Sequence, residues 1–359
     1  MSRIRVLVVD DAVAVRRLVC DALGADSAIE VVGTAENGRV ALARVPQLKP
    51  DVIVLDLEMP VMSGLETLVE LRRAHPKIAV IIFSADSRPG AEATLEALWL
   101  GANDYVTKSS AHSPSQAVRH IHAELVPRIK ALCMHLLERP AEKRPARPRD
   151  GRGRAVLPGP RARLVAIGAS TGGPNALARL LPSLPADFSA PIVVVQHMPP
   201  MFTRFLAERL SARSEIEIAE AVDGDVLHPG KAWIAPGDHH MTLGRAGTDI
   251  CIRLDQGPPV HSCRPSVDRL FRSVADVAGG AALGVILTGM GQDGRAGCES
   301  VVEAGGRVIA QDAATSVVWG MPGMVARAGL AERVLPLDEI ADEILRRVGR
   351  GHARRSEAA

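Results

Sequence analysis

Two sets of residues in this chain carry side chains suited to chemistry, and each set suits a different reaction. The first combines three carboxylates, a hydroxyl and a lysine, which suits a cation and a phosphoryl group. Its members are Asp10, Asp11, Asp56, Ser84 and Lys108. The second combines a serine, a histidine and an aspartate, which suits nucleophilic attack on an acyl group. Its members are Ser170, His197 and Asp293. Together they predict an enzyme with a switch attached.

The acidic residues of the first set stand at the ends of apolar runs. Asp10 and Asp11 follow the run 4–9, and Asp56 follows the run 52–55. In an open parallel sheet both carboxyl ends open into one crevice. Three clustered carboxylates repel one another unless a cation lies among them, and an all-oxygen site suits Mg²⁺.

Each member of the first set has a candidate role. Asp56 is a candidate phosphoryl acceptor, Ser84 could donate to a phosphoryl oxygen, and Lys108 could supply positive charge. For any single aspartate, helix capping is the alternative. Five polar residues at strand ends favour a phosphoryl-transfer site over helix capping.

Ser170 lies in a turn of small residues, 168–172, that matches G-x-S-x-G and follows the apolar run 164–167. Small neighbours permit a tight bend that exposes the hydroxyl beside a helix N-terminus. A glycine-rich turn of this kind can also bind phosphate, so the turn alone leaves a nucleotide site open.

A histidine and an aspartate at two further strand ends favour acyl transfer over nucleotide binding. His197 ends the run 193–196 and is placed for general-base work. Asp293 lies in a glycine-rich loop and could orient the imidazole, while the loop's N–H groups could stabilise an oxyanion. The order Ser, His, Asp excludes the α/β-hydrolase fold, whose order is Ser, Asp, His.

The elements that must position these residues form two βα series. Predicted strands of the first half lie at 4–9, 29–33, 52–55, 78–83 and 104–106. Predicted strands of the second half lie at 164–167, 192–195, 216–218, 232–235, 283–287 and 307–310, with a possible hairpin at 241–254. Helix-length segments separate them, which predicts an α/β protein of two doubly wound parallel-sheet domains.

Residues 139–163 predict a solvated linker, because they contain five prolines and nine Arg or Lys against Glu142 and Asp150. Aromatic residues make up only 3% of the chain, which argues against a nucleic-acid site. Five scattered cysteines without a C-x-x-C pair argue against a disulfide framework and a zinc site. The N-terminus has no signal peptide and no run could span a bilayer, so we expect a cytoplasmic protein without membrane insertion.

The first half resembles the receiver domain of two-component response regulators, with Met59-Pro60 after Asp56 and the run 101–105 before Lys108. The resemblance implies a flavodoxin-like fold and a histidine kinase as phosphodonor. It implies phosphorylation of Asp56 and a switch formed by Ser84, Tyr105 and Lys108. The magnesium ligands that it implies are Asp10, Asp11, Asp56 and the Glu58 carbonyl.

The second half resembles the chemotaxis protein-glutamate methylesterases, the CheB family, in five runs: GASTGGPNAL, VVVQHMPPMFTRFLAERL, HPGKAWIAPGDHHM, CRPSVDRLF and LTGMGQDGRAG. The resemblance implies a Rossmann-like domain and hydrolysis of methylated glutamates, and deamidation of glutamines, on methyl-accepting chemoreceptors. It implies Ser170 as nucleophile, His197 as base, Asp293 as its partner and the backbone N–H groups of Met290 and Thr171 as oxyanion donors, with no cofactor for the esterase.

The domain boundaries implied are 1–125 for the receiver, 126–163 for a helix and the linker, and 164–350 for the methylesterase domain. The alternative function is a non-catalytic response regulator whose second domain binds a nucleotide or a partner. Arg264 is a candidate contact for a substrate carboxylate or a helix, with a salt bridge as the equal alternative. Four histidines lack helical i, i+4 spacing, which argues against a metal site. They are His228, His239, His240 and His261.

Overall fold

The structure is a computed structural model, and the residues it describes are 3–85, 87–108, 113–137 and 161–349. The chain divides into two compact units, Met1–Pro158 and Gly159–Ala359. Most of the predicted linker, residues 139–160, lies outside the described residues. Within the described ranges no helix combines the length and the apolarity needed to cross a bilayer.

The first unit contains a five-stranded parallel sheet. Its strands are β1 (Ile4–Val9), β2 (Ile29–Ala35), β3 (Val52–Leu55), β4 (Ala79–Ala85) and β5 (Asp104–Lys108). Its helices are α1 (Val13–Gly24), α2 (Gly38–Leu48), α3 (Gly64–Ala74), α4 (Arg88–Trp99), α5 (Pro114–Leu132) and α6 (Met134–Leu137). The strand order is β2-β1-β3-β4-β5. The order reverses at β1, which opens a crevice beyond the carboxyl ends of β1 and β3.

Local sequence explains why these elements begin and end where they do. All four residues of β3 are buried, as expected for a strand covered by helices on both faces. Helix α3 begins with a capping box, in which Ser63 and Glu66 bond each other's backbone N–H. Helix α5 continues past residue 125, and its Val126 and Ile129 are buried in the core of this unit.

The second unit contains a seven-stranded parallel sheet and a separate hairpin. Its strands are β6 (Leu164–Ala169), β7 (Ile192–Gln196), β8 (Glu217–Glu220), β9 (Lys231–Ile234), β10 (His240–Ala246), β11 (Asp249–Asp255), β12 (Ala282–Ile286), β13 (Arg307–Gln311) and β14 (Arg333–Leu335). Its helices are α7 (Gly173–Leu180), α8 (Phe202–Ser211), α9 (Val267–Ala278), α10 (Arg295–Glu303), α11 (Met321–Arg327) and α12 (Leu337–Val348). The order of the large sheet is β14-β13-β12-β6-β7-β9-β8.

The predicted class, two doubly wound parallel α/β domains, is confirmed. The antiparallel pair β10 and β11 agrees with the hairpin expected at 241–254. Three elements near the end of the chain were not predicted: β14, α11 and α12. Strand β14 has only three residues, too few to show an alternation of apolar and polar side chains. Helix α12 does carry a helical stripe, since Leu337, Ile340, Ala341, Ile344 and Val348 are all buried.

Phe271 on α9 anchors the core of the second unit. It is fully buried. Its ring fills space left by two glycines: an added Cβ would lie 2.9 Å from the ring at Gly284 and 2.6 Å from the Phe271 Cβ at Gly297. This close packing joins α9 to β12 and α10, the elements on either side of Asp293.

We expect Phe271→Ala to lower the free energy of unfolding of the second unit by about 3 to 5 kcal/mol, through lost burial and the cavity left behind. Urea denaturation followed by tryptophan fluorescence measures this in a Trp99→Phe background, where Trp233 and Trp319 report on the second unit alone. The control is Val302→Ala on α10, whose side chain is exposed and whose cost should stay within about 0.5 kcal/mol. Equal losses in both variants would contradict the prediction.

Candidate functional site

The carboxylates predicted at the end of β1 and β3 do meet. The ligand atoms of Asp10, Asp11 and Asp56 lie within 4.8 Å of one another. Asp10 and Asp56 are buried, whereas Asp11 is exposed. The donor set is made of oxygen alone, which fits a hard cation such as Mg²⁺.

Lys108, at the end of β5, joins this cluster. Its Nζ lies 2.9 Å from Asp10 Oδ2 and 2.8 Å from Asp56 Oδ2. Burial raises the pKa of Asp56, and repulsion from Asp10 adds to the rise, while Lys108 opposes it. Burial alone would lower the pKa of Lys108, but the two carboxylates outweigh it and raise that pKa. The ammonium therefore stays charged between two carboxylates.

The other predicted residues of the first site lie around this cluster. Ser84 is buried on β4, and its Oγ lies 2.6 Å from Thr94 Oγ1 on α4. Tyr105 on β5 is buried, at 8% exposure. Glu58 is exposed and follows Asp56 by two residues. In this conformation the Ser84 hydroxyl is thus bonded to a helix rather than to the acidic cluster.

The serine turn of the second unit lies between β6 and α7. Gly172 adopts a φ of 77°, which favours glycine. Ser170 N donates to the Thr288 carbonyl at 3.1 Å, and an added Cβ at Gly289 would lie 2.8 Å from the Ser170 Cβ. The loop after β12 is therefore packed directly against the serine.

His197 lies beside the same turn. Its backbone N donates to the Ala169 carbonyl at 3.1 Å, which ties the end of β7 to the residue before Ser170. Its Nε2 lies 2.8 Å from Asp293 Oδ2. The histidine and aspartate of the predicted set are thus in direct contact.

Asp293 is buried, at 2% exposure, and the first residues of α9 hold it. It accepts hydrogen bonds from Ser266 Oγ at 2.9 Å, Val267 N at 2.7 Å, Asp268 N at 3.0 Å and Gly294 N at 3.1 Å. Burial alone would raise the pKa of Asp293, but the bonds from His197 and these N–H groups outweigh it and lower that pKa. The carboxylate therefore stays ionised.

The imidazole contacts a second group that was not predicted, the thiol of Cys263. Cys263 Sγ lies 3.6 Å from His197 Nδ1. Burial alone would lower the pKa of His197, but the bond to Asp293 and the contact with Cys263 raise it to about 9. Among the described residues no hydrogen bond joins Ser170 Oγ to either ring nitrogen. The structure brings Ser170 and His197 to adjacent strand ends without bonding them.

The residues predicted as oxyanion donors flank the serine. Thr171 follows it and is buried, and its carbonyl accepts from Thr288 Oγ1 at 2.9 Å. Met290 follows Gly289, the residue packed on Ser170. Their backbone groups therefore lie in the two loops that meet at the serine.

The remaining candidates have other partners. Arg264 pairs with the Asp238 carboxylate and donates to the carbonyls of Gln256 and Gly257 at 3.0 Å each, so the salt-bridge alternative is the one observed. Three of the four histidines place a ring nitrogen near a loop carbonyl, and His261 lies 3.3 Å from the Asp268 carboxylate.

Three residues that contact the predicted site residues were not predicted from the sequence. Ser266 caps α9, and its place before a helix was a usable signal. Gln196 donates from Nε2 to the Ser170 carbonyl at 3.0 Å, and Cys263 reaches His197 from a loop 66 residues away along the chain. For the last two the sequence carried no signal, because only folding brings them to the turn.

Comparison with known families identifies a family for each unit. Residues 165–344 match the model of the CheB methylesterase family, and residues 6–118 match the response regulator receiver domain. The catalytic domain of Thermotoga maritima CheB methylesterase, a crystal structure, is 44% identical with a TM-score of 0.51. The match covers 52% of this chain and 98% of that one.

Full-length relatives extend the match to both units. A protein-glutamate methylesterase/protein-glutamine glutaminase of Trichodesmium erythraeum is 51% identical over 97% of this chain and 100% of its own. One of the same description from a Nocardioides species is 49% identical over 98% and 97%. With a receiver unit followed by a methylesterase unit, and a match along nearly its whole length, the chain belongs to the CheB methylesterase family.

Proposed function

We propose that the second unit hydrolyses methylated glutamates, and deamidates glutamines, on chemoreceptors through Ser170, His197 and Asp293. The observation that carries the proposal is the 2.8 Å contact between His197 Nε2 and Asp293, at the strand end next to Ser170. The proposal includes a cytoplasmic location and a chemotaxis histidine kinase as the source of phosphate.

The reaction follows from which ring nitrogen is engaged. Because Asp293 holds Nε2, the Ser170 proton goes to Nδ1 as Oγ attacks the ester carbonyl. The imidazolium then protonates the leaving methoxide, methanol departs, and a glutamyl ester of Ser170 remains. Water attacks that ester, gives its proton to His197, and releases the glutamate and the serine. With a glutamine substrate, ammonia leaves in place of methanol.

The tetrahedral intermediate carries a negative oxygen that needs donors. The backbone N–H groups of Met290 and Thr171 are our candidates, because their loops meet at Ser170. One such donor contributes about 3 kcal/mol to the transition state.

The alternative, a nucleotide-binding output domain, needs room for phosphate at the start of α7. An added Cβ on Gly173 would lie 1.9 Å from Gln196 Oε1, so the Gln196 amide already fills the space beside that turn. Gln196 and His197 also stand where a dinucleotide site carries its acidic residue. Both observations favour the esterase.

We expect Ser170→Ala to lower the rate of methanol release from methylated receptor membranes by about 10⁴-fold or more, since it removes the nucleophile. Ser183→Ala is a matched control, because Ser183 is exposed and its hydroxyl bonds, among the described residues, only the Arg179 carbonyl. Undiminished release from Ser170→Ala would remove the serine from the mechanism.

The raised pKa of His197 predicts a pH profile. His197 acts as a base only when neutral, so kcat/KM should rise about tenfold per pH unit below about pH 9 and level off above it. Because Cys263 helps to raise that pKa, Cys263→Ala should move the profile to lower pH. Initial rates of methyl ester hydrolysis, corrected with Ser170→Ala blanks, measure both profiles. A flat wild-type profile from pH 7 to 10 would contradict the assignment of His197.

We propose that the first unit regulates the esterase through phosphorylation of Asp56. Asp10, Asp11, Asp56 and the Glu58 carbonyl would hold Mg²⁺, whose charge offsets that of the phosphoryl oxygens. Lys108 would donate to the phosphoryl group. Ser84 would break its bond with Thr94 and donate to the phosphoryl group as well, and Tyr105 would move with Ser84. The unphosphorylated receiver would keep esterase activity low.

Phosphorylation should then raise esterase activity by up to about a hundredfold, the effect of a bias of about 3 kcal/mol on a two-state equilibrium. We expect acetyl phosphate with Mg²⁺ to activate the wild type and the control Asp21→Asn, whose side chain is exposed on α1. Asp56→Asn should not respond. An identical response from Asp56→Asn would exclude Asp56 as the site of regulation.

A further inference from the structure

The imidazole of His197 is held from both sides by groups of different chemistry. Asp293 Oδ2 lies 2.8 Å from Nε2, and Cys263 Sγ lies 3.6 Å from Nδ1. These three side chains place ligand atoms within 4.8 Å of one another. The nitrogen on the thiol side is the one that must accept the Ser170 proton.

The distance between Cys263 Sγ and His197 Nδ1 matches the distance expected between a sulfur and a nitrogen ligand of a tetrahedral zinc ion. Zinc binds cysteine sulfur at about 2.3 Å and histidine nitrogen at about 2.0 to 2.1 Å, so a tetrahedral angle separates the two atoms by about 3.6 Å. Cys263 and His197 stand at this separation. The sulfur–nitrogen distance of the pair therefore fits coordination of one ion by both atoms.

The carboxylate on the far side of the ring completes a metal-site pattern. A histidine that binds a metal usually donates its other N–H to a carboxylate, which fixes the ring and raises its basicity. Asp293 makes this contact with Nε2 and is itself held by four hydrogen bonds. The imidazole is thus oriented with Nδ1 toward the thiol.

The loop that carries Cys263 is also fixed. Val260 N donates to the Cys263 carbonyl at 3.0 Å, and Cys263 N donates back at 2.8 Å. Between them His261 and Ser262 take φ values of 51° and 63°, a left-handed region that is costly for residues other than glycine. This tight turn positions the backbone of Cys263, and its Sγ also lies 3.5 Å from the His261 carbonyl.

We propose that His197 Nδ1 and Cys263 Sγ form a binding site for a thiophilic divalent cation such as Zn²⁺, and that its occupation inhibits the esterase. The thiol releases one proton as its sulfur binds the ion, and solvent fills the remaining positions. Coordination consumes the Nδ1 lone pair, so the Ser170 proton has no acceptor. The inhibition rests on the proposed catalytic role of His197, whereas the binding does not.

The site is distinct in chemistry from the acidic cluster of the receiver. That cluster offers only oxygen and suits Mg²⁺, whereas sulfur and imidazole nitrogen favour Zn²⁺. Among the described side chains Cys263 is the one cysteine that shares such a cluster with a histidine. Magnesium at concentrations that serve the receiver should therefore leave the esterase uninhibited.

Cobalt(II) binding to the full-length protein tests the site without reference to activity, because a cobalt–thiolate bond gives a near-ultraviolet charge-transfer band and an oxygen site does not. We expect about one equivalent of band-forming Co²⁺ in the wild type. The band should be lost in Cys263→Ser and in His197→Gln. It should persist in Cys20→Ser, which removes the half-buried thiol of the first unit. A band of equal intensity in Cys263→Ser, or no band in the wild type, would overturn the site.

Zinc inhibition tests the consequence, with each variant's rate divided by its own metal-free rate. We expect Zn²⁺ to inhibit the wild type and Cys20→Ser alike, and Cys263→Ser to need about tenfold more zinc or more. Equal inhibition of Cys263→Ser and the wild type would refute the inhibitory role. If no variant has esterase activity, the proposed function fails while the cobalt band still decides the metal site.

Discussion

The contact between Asp293 and His197 determines the arrangement of the second site, and it depends on how the aspartate itself is held. A buried carboxylate is costly unless it is bonded on several sides. Here the first residues of α9 supply three donors, Ser266 Oγ and the N–H groups of Val267 and Asp268, where the helix dipole also favours negative charge. Phe271, packed against Gly284 and Gly297, joins α9 to β12 and α10 and so helps to place these donors beside Asp293.

In both units the carboxyl ends of parallel strands bring polar side chains to one edge of the sheet. In the receiver, β1, β3 and β5 deliver two buried carboxylates and a lysine to one edge, where the charges offset one another at 2.8 and 2.9 Å. In the methylesterase unit, β6, β7 and β12 deliver a serine, a histidine and an aspartate. One edge holds a charged cluster suited to a cation, while the other holds a bonded His197–Asp293 pair beside Ser170.

The thiol of Cys263 contacts Nδ1, the His197 nitrogen that Asp293 does not engage. In the proposed mechanism His197 would use the same Nδ1 lone pair to accept the Ser170 proton and to bind a metal ion. Burial alone would lower the pKa of His197, but Asp293 and Cys263 favour the imidazolium over the neutral base and raise that pKa to about 9. The two proposals together would link esterase activity and its inhibition by a cation at one atom, His197 Nδ1.

The apolar runs of the sequence predicted the class of both domains, which is confirmed. They also predicted which side chains would come together, because strand-end residues in a parallel sheet share an edge. The runs before Asp10, Asp56, Ser170 and His197 were long and apolar enough to predict their strands. Short or exposed elements such as β14 carry too few residues for a pattern, so they were missed.

Which atoms meet depends on the folding of each whole domain. It placed Asp293 on Nε2 and Cys263 on Nδ1, turned Ser84 toward Thr94, and paired Arg264 with Asp238. These contacts join loops that are far apart along the chain, and side-chain direction in a loop depends on backbone angles such as those of His261 and Ser262. No local periodicity encodes such angles, because they are selected by the packing of the whole domain.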